Sequence, residues 1–211
     1  MSCSNCFNGC AEIVSDQCVK YTGVPVAVLG IQTGDSLSYV EQSLIGFLTS
    51  NCHTYIGTDP STKTYEGLLE LQKELNFYGK KVILHKTGSE LFVPETNSLD
   101  LCFTSPPYFD TERYSDEETQ SYKKYPDDYL WTNCFMRYTI RNCYMGLKDD
   151  GKMILNIANT PKHKNIESET IKVAQDEGFE LVETLKLALS SVAGKGIKFE
   201  PIFVFSKKPK R

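Results

Sequence analysis

A chain of 211 residues is long enough to bury a substantial core as one large domain, or as one domain with an appendage. Its 40% apolar and 24% charged content is ordinary for a globular protein, and its longest apolar run, Val24 to Ile31, is far too short to span a membrane. The net charge of −4 argues against an overall electrostatic grip on nucleic acid. Such a contact needs a local basic patch, for which Lys123-Lys124 and the tail Lys207-Lys208-Pro209-Lys210-Arg211 are the candidates, the tail reading better as solvated surface.

Met1 to Cys10 has neither the basic start nor the apolar run of a secretory signal, so a cytoplasmic protein is expected. Cys3, Cys6, Cys10 and Cys18 crowd this end. They offer a four-thiol zinc site, reduced thiols or a disulfide pair, but their spacing fits no standard zinc pattern, and no metal is expected. Cys52, Cys102, Cys134 and Cys143 are scattered and read as small buried apolar residues.

Val24 to Gly34 reads as a strand followed by two spaced glycines, Gly30 and Gly34, and Leu37 to Leu48 as a helix. Charge is sparse up to Ser50-Asn51, which divides a Cys-rich segment, residues 1–50, from an α/β domain, residues 51–211. Beyond that point strand-like and helix-like runs alternate as in βαβ units. His53 to Gly57 is a strand, and Thr58-Asp59-Pro60-Ser61 starts a helix carrying Tyr65, Leu68, Leu69, Leu71 and Leu75. Lys81 to His85 and Ser98 to Thr104 are strands. Tyr129 to Leu147 is a long amphipathic helix closed by Asp149-Asp150-Gly151. Lys152 to Ile157 is a strand, Ile166 to Gly178 a helix and Phe179 to Leu187 a strand. Phe199 to Ser206 is the last strand, where Pro201 suggests an edge or an irregular start, and the final pair should form an antiparallel hairpin on a mainly parallel sheet.

Thr104-Ser105-Pro106-Pro107-Tyr108-Phe109 follows directly on one of these strands. Ligands of open α/β sheets bind beyond the carboxyl ends of strands. Two prolines fix the backbone and remove two N–H donors, which leaves a rigid array of carbonyls and one hydroxyl beside an aromatic able to stack on a planar base. A strand-ending proline turn is the plainer reading of the same residues.

The block from Asp100 to Tyr114 resembles the catalytic motif of DNA N6-adenine and N4-cytosine methyltransferases, including phage-encoded ones, and Lys198 to Lys207 resembles their closing strand. The resemblance implies a Rossmann-like methyltransferase sheet using S-adenosylmethionine, with DNA as partner. Ser105 and the Pro106 carbonyl would accept hydrogen bonds from the amino group of a flipped base, Pro107 would complete the motif, and Tyr108 and Phe109 would stack on the ring. Asp59 would bind the cofactor's ribose hydroxyls; a helix N-cap is its other reading. Glu90 matches a position near the cofactor's adenine, and a surface acid describes it equally well.

The family's Asp-Pro-Phe-x-Gly-x-Gly loop is not recognisable in this sequence, and Gly30 and Gly34 are the nearest substitutes for approaching the cofactor's methionine part. The first βα unit is therefore expected to be atypical, or replaced by residues 1–50, with cofactor binding weakened accordingly. Residues 2–50 are also similar to a Cys-rich segment of structural proteins of crAss-like gut bacteriophages. That likeness implies contacts with virion proteins through residues 1–50, and as an alternative function a catalytically inactive, virion-associated adsorption protein carrying a methyltransferase-like domain.

Overall fold

Runs rich in Val, Ile, Leu and Phe, each broken by Gly, Pro, Asp or Ser, become the seven strands of a single sheet in the computed structural model. It describes residues 25–29, 44, 46–48, 50–75, 79–109, 113–189 and 198–209. The strands are β1 (Pro25–Leu29), β2 (Thr54–Thr58), β3 (Lys81–His85), β4 (Leu99–Thr104), β5 (Leu147–Asn156), β6 (Phe179–Leu189) and β7 (Lys198–Lys207). Their order is β3-β2-β1-β4-β5-β7-β6. β1 to β5 run parallel, and β7 is antiparallel to both β5 and β6.

Both faces of the sheet are buried at its described central strands β4 and β5, as a parallel sheet with crossover helices requires, while β6 at one edge is largely exposed. Successive side chains of each strand point to opposite faces. Cys102, Met153, Leu155, Phe203 and Phe205 accordingly pack with Trp131, Phe135, Ile140 and Val173 on one side. Their alternates Leu101, Phe103, Ile154, Ile202 and Val204 pack with Leu44, Phe47 and Leu68 on the other. The residues on the second side include Leu44 and Phe47 from the helical stretch before Ser50, so this part of the chain shares the core of the sheet.

The described helices are α1 (Thr62–Glu74), α2 (Ser121–Lys124), α3 (Asp128–Leu130), α4 (Arg137–Gly146) and α5 (Ile166–Asp176), with a π-helix over Trp131–Met136 between α3 and α4. The helix expected over 129–147 is thus three segments in series. The Arg137 N–H bonds to the Thr132 carbonyl, five residues back, which winds the chain wide enough for Trp131 and Met136 to share the buried face. Helix ends at Gly146, and Leu147 opens β5 instead of closing the helix. The register from Leu99↔Leu147 to Leu101↔Lys152 leaves Lys148 to Gly151 as an irregular excursion at the start of that strand.

Two further expectations need correction. β7 is internal to the sheet, so the edge expected at Pro201 does not describe the strand as a whole and holds only near its start. β5 pairs with β7 only as far as Ile202, so at Pro201 the strand has β6 alone beside it, and a missing N–H is tolerated there. The N-cap of α1 is Ser61, whose hydroxyl accepts from Thr64 N at 3.5 Å, not Asp59. Gly178, after α5, has φ +107°, and a Cβ there would lie 2.8 Å from the Tyr144 ring, so glycine is required on both counts. Among the described residues no helix is long and apolar enough to cross a membrane. Cys3, Cys6, Cys10, Cys18, Gly30 and Gly34 lie outside the described residues.

Candidate active site

Parallel registry brings the sequence candidates to one edge. Leu29 is opposite Thr58 on one side, and Val28 is opposite Phe103 on the other. Asp59 and Ser105 therefore each lie one residue beyond the carboxyl ends of the two strands that flank β1. Two strand spacings separate them, roughly 10 Å of backbone. Glu90 follows β3 at the same edge, and Glu200, at the start of antiparallel β7, reaches it from the opposite direction.

Around the double proline the polar groups form one network. Ser105, Pro106 and Pro107 are buried, and Tyr108 and Phe109 are half-buried. Asn156, the last residue of β5 and wholly buried, donates from Nδ2 to the Pro201 carbonyl at 3.0 Å. That bond turns its Oδ1 toward the motif, where it accepts from the Ser105 hydroxyl at 3.3 Å and lies 3.5 Å from the Tyr108 hydroxyl. Tyr108 donates more closely to Glu200 Oε2, at 3.1 Å. The Phe109 N–H bonds to the Pro107 carbonyl at 2.8 Å, and Phe109 adopts φ +53°. This tight turn sends the Phe109 ring edge-on against Trp131 and His163, at centroid distances of 6.1 and 5.9 Å. His163 is itself buried, with Nε2 2.9 Å from Glu169.

The other half of the edge is built on two acids. Asp59 is 1% exposed, and its Oδ1 accepts from the Ser61 N–H at 2.7 Å. Glu90 is 7% exposed and is not a surface acid. Its Oε1 accepts from Lys124 Nζ at 2.6 Å and from the Tyr125 hydroxyl at 3.2 Å, while its buried Oε2 has no hydrogen-bond partner among the described residues. Burial, and then the neighbouring Glu90 carboxylate, push the Tyr125 hydroxyl well above the ordinary tyrosine range. The Glu90 carboxylate folds back over Gly88, where an added Cβ would come within 2.1 Å of Oε2. Asn142 of α4 fixes this loop by donating to the carbonyls of Ser89 and Glu90, at 3.0 and 3.1 Å.

Residues 113–125 span the two acid loops like a strap. Glu117 accepts from the Thr62 N–H at 3.0 Å and from its hydroxyl at 2.9 Å, at the start of α1, and Thr119 donates to the Pro60 carbonyl at 3.1 Å. Five and six residues beyond Thr119, Lys124 and Tyr125 hold Glu90. This polar stretch is thereby tied down over the Asp59 and Glu90 loops.

Asn156 and Glu200, which join the network around the double proline, are residues that the sequence reading passed over. Asn156 had a usable signal: a lone amide in Met153-Ile154-Leu155-Asn156-Ile157 is a polar group in a buried strand and must find partners. Glu200, in Lys198-Phe199-Glu200-Pro201, carries no such mark.

No family model matches the sequence, and no curated protein matches it. Solved structures do match across almost the whole chain. A TehB-like S-adenosylmethionine-dependent methyltransferase from Corynebacterium glutamicum is 14% identical, with 95% of this chain and 88% of that one covered and a TM-score of 0.56. The magnesium protoporphyrin IX methyltransferase of Synechocystis, solved with S-adenosylmethionine bound, is 16% identical over 95% and 81%, with a TM-score of 0.58. The N-methyltransferase NodS of Bradyrhizobium japonicum is 12% identical over 94% of each chain, with a TM-score of 0.59. The fold is that of the S-adenosylmethionine-dependent methyltransferases: a Rossmann-like α/β sheet, mainly parallel, with an antiparallel pair at its carboxyl-terminal end.

Proposed function

We propose that the protein is an S-adenosylmethionine-dependent methyltransferase acting on the exocyclic amino group of a DNA base, adenine N6 or cytosine N4. The observation that carries this reading is Ser105-Pro106-Pro107-Tyr108 at the carboxyl end of β4, across β1 from a buried Asp59. S-adenosylmethionine, when bound, supplies a methyl group on a positively charged sulfur. The buried acceptors fit such a cofactor. Asp59 would take its ribose hydroxyls, and Glu90 Oε2, which has no partner among the described residues, stands ready to accept on the adenine side. Gly30 and Gly34 are proposed for the methionine part, with binding weaker than micromolar because the close Gly-x-Gly pair is missing.

On the target side, Ser105 donates its hydroxyl hydrogen bond to Asn156, which leaves its oxygen lone pairs as acceptors, and the Pro106 carbonyl would be the second acceptor. Two accepted hydrogen bonds would fix an amino group and turn its nitrogen lone pair toward the methyl donor. Tyr108 offers its ring for stacking, held at the hydroxyl end by Glu200. Phe109, whose ring packs edge-on against Trp131 and His163, is the second ring proposed for stacking on the base.

The test is mass spectrometry of N6-methyladenine and N4-methylcytosine in DNA incubated with protein and S-adenosylmethionine. Methylated base with the wild type, lost in Ser105→Ala, is the expected result. Tyr108→Ala should lose about 1–3 kcal/mol of base affinity with the fold intact. Cofactor binding without any methylated base would reject DNA as the substrate. A second reading would then apply: the Glu200 carboxylate beside the motif, on a chain of net charge −4, favours an amine-bearing small molecule over a polyphosphate. A folded protein that binds no cofactor at all would leave the inactive virion component as the better account.

A further inference from the structure

The strap over the acid loops carries a residue whose placement is hard to explain by folding alone. Gln120 is 0% exposed, and neither its Nε2 nor its Oε1 has a hydrogen-bond partner among the described residues. The hydroxyl of adjacent Ser121, 3% exposed, has none either. Buried amides are almost always satisfied, because an orphaned one forfeits its hydrogen bonds to water without replacement. Gln120 is also fixed in place. Its N–H bonds to the Glu117 carbonyl at 3.1 Å, and its own carbonyl accepts from the N–H groups of Lys123 and Lys124, both at 3.1 Å. One residue before it, Thr119 is tied to Pro60, next to Asp59; four residues after it, Lys124 is tied to Glu90.

From this juxtaposition we infer that residues 113–125 roof the nucleoside end of the cofactor site and that Gln120 reads the adenine edge through its carboxamide. A glutamine side chain offers one donor and one acceptor side by side, and adenine presents the matching pair, an amino donor next to a ring-nitrogen acceptor. Both polar atoms of the Gln120 carboxamide lack a partner among the described residues, which is the condition for a two-point contact of this kind. The Ser121 hydroxyl and Glu90 Oε2 supply further polar atoms without partners in the same strap-and-loop assembly. The inference rests on the methyltransferase reading above and adds a specificity residue to it.

The experiment is titration calorimetry of the full chain with S-adenosylhomocysteine and with its 6-deamino analogue, which lacks the adenine amino group. The wild type should prefer S-adenosylhomocysteine by about 5- to 150-fold, the range of one good bidentate pair. Gln120→Leu should weaken S-adenosylhomocysteine more than the 6-deamino analogue and so reduce the preference, leaving only the share that Glu90 supplies. It should also raise the unfolding midpoint of the ligand-free protein, since it removes a buried orphan amide. A residue that merely props up the fold would lower that midpoint. Gln120→Glu, which keeps the size but loses the donor, provides the reading if leucine does not fold. Equal weakening of both ligands, or none, overturns the role of Gln120 while leaving the methyltransferase reading intact. Failure of the wild type to bind S-adenosylhomocysteine overturns both.

Discussion

Asn156→Ala is the substitution whose consequence can be worked out most fully from the structure. The side chain is wholly buried and joins three partners: the Pro201 carbonyl, the Ser105 hydroxyl and, more loosely, the Tyr108 hydroxyl. Removing it forfeits the bond to Pro201, worth about 0.5–1.5 kcal/mol net. It also strands the buried Ser105 hydroxyl and Pro201 carbonyl, and a stranded buried group costs about 1–3 kcal/mol. Tyr108 keeps Glu200 and adds little. The stranding cost already contains the lost bonds, so the two stranded groups together set the expected loss at about 2–6 kcal/mol, a large share of the roughly 5–15 kcal/mol that holds a domain folded. For a chain of this size each kcal/mol moves the thermal midpoint by about 2–4 °C, so the variant should melt several degrees lower. Urea unfolding by circular dichroism measures the energy directly. A loss below about 1 kcal/mol with an unchanged denaturant slope would mean that the network around the double proline contributes little, and the reasoning from it would fail.

Gly88→Ala should displace the Glu90 carboxylate, because the new methyl would sit 2.1 Å from Oε2, and the bonds to Lys124 and Tyr125 would go with it. A loss of about 1–3 kcal/mol is expected, with faster amide hydrogen exchange across 113–125; unchanged exchange there would show that Glu90 does not hold the strap. Glu177→Gln tests electrostatics at the end of α5. Burial pushes the Glu177 carboxyl up, but Arg141 and Arg137, at 2.8 Å each, prevail and hold it below the ordinary glutamate range. A depressed folded-state pKa stabilises above the unfolded value and loses that stabilisation as pH falls through the folded one. The wild type should exceed the variant by no more than about 1 kcal/mol near neutrality, since the arginines are partly exposed, and the gap should close on acidification. A gap that persists in acid would refute this account.

Much of the sheet was legible because its strands are short apolar runs bounded by turn residues. Lys81 to His85 falls at its predicted bounds, and the strands read at 53–57 and 98–104 shift by a residue. The helix read over 129–147 was harder. Its apolar pattern is real, but a six-residue π-helix changes the period within it, and a pattern judged against a single period cannot reveal the change. Pro201 misled for a related reason: sequence shows that a strand cannot donate at that point, but not that its neighbour on one side has already ended. The Ser105 motif was legible because its residue types are unusual together. The strap was not, because Gln120 stands in a run of polar residues whose burial is decided by contacts to Pro60, Thr62 and Glu90, 30 to 60 positions away in the chain.

The fate of the N-terminal part follows from sheet physics more than from motif. Without a strand between them, β2 and β4 would each present a row of unmet N–H and C=O groups in the middle of a core buried on both faces, where no water could satisfy them. Pro25–Leu29 fills the gap and pairs parallel with both neighbours, five residues against β2 and three against β4. Pro25 leads the strand, a position at which its missing N–H is tolerated, and its partner on β2 is Thr54, while pairing to β4 begins only at Val26. The sequence lacks the acidic glycine loop of the DNA methyltransferases it resembles, yet the architecture needs the strand that precedes such a loop whether or not the loop is kept. Asp59 and Ser105 owe their common edge to it, since the offset between β2 and β4 is set only through β1. A substitution that breaks this strand, such as Ala27→Pro, should therefore loosen the register of both acid and motif loops together. Protection of amides in β2 and β4 from exchange would fall in parallel, whereas loss in one strand alone would show that the two do not depend on a shared neighbour.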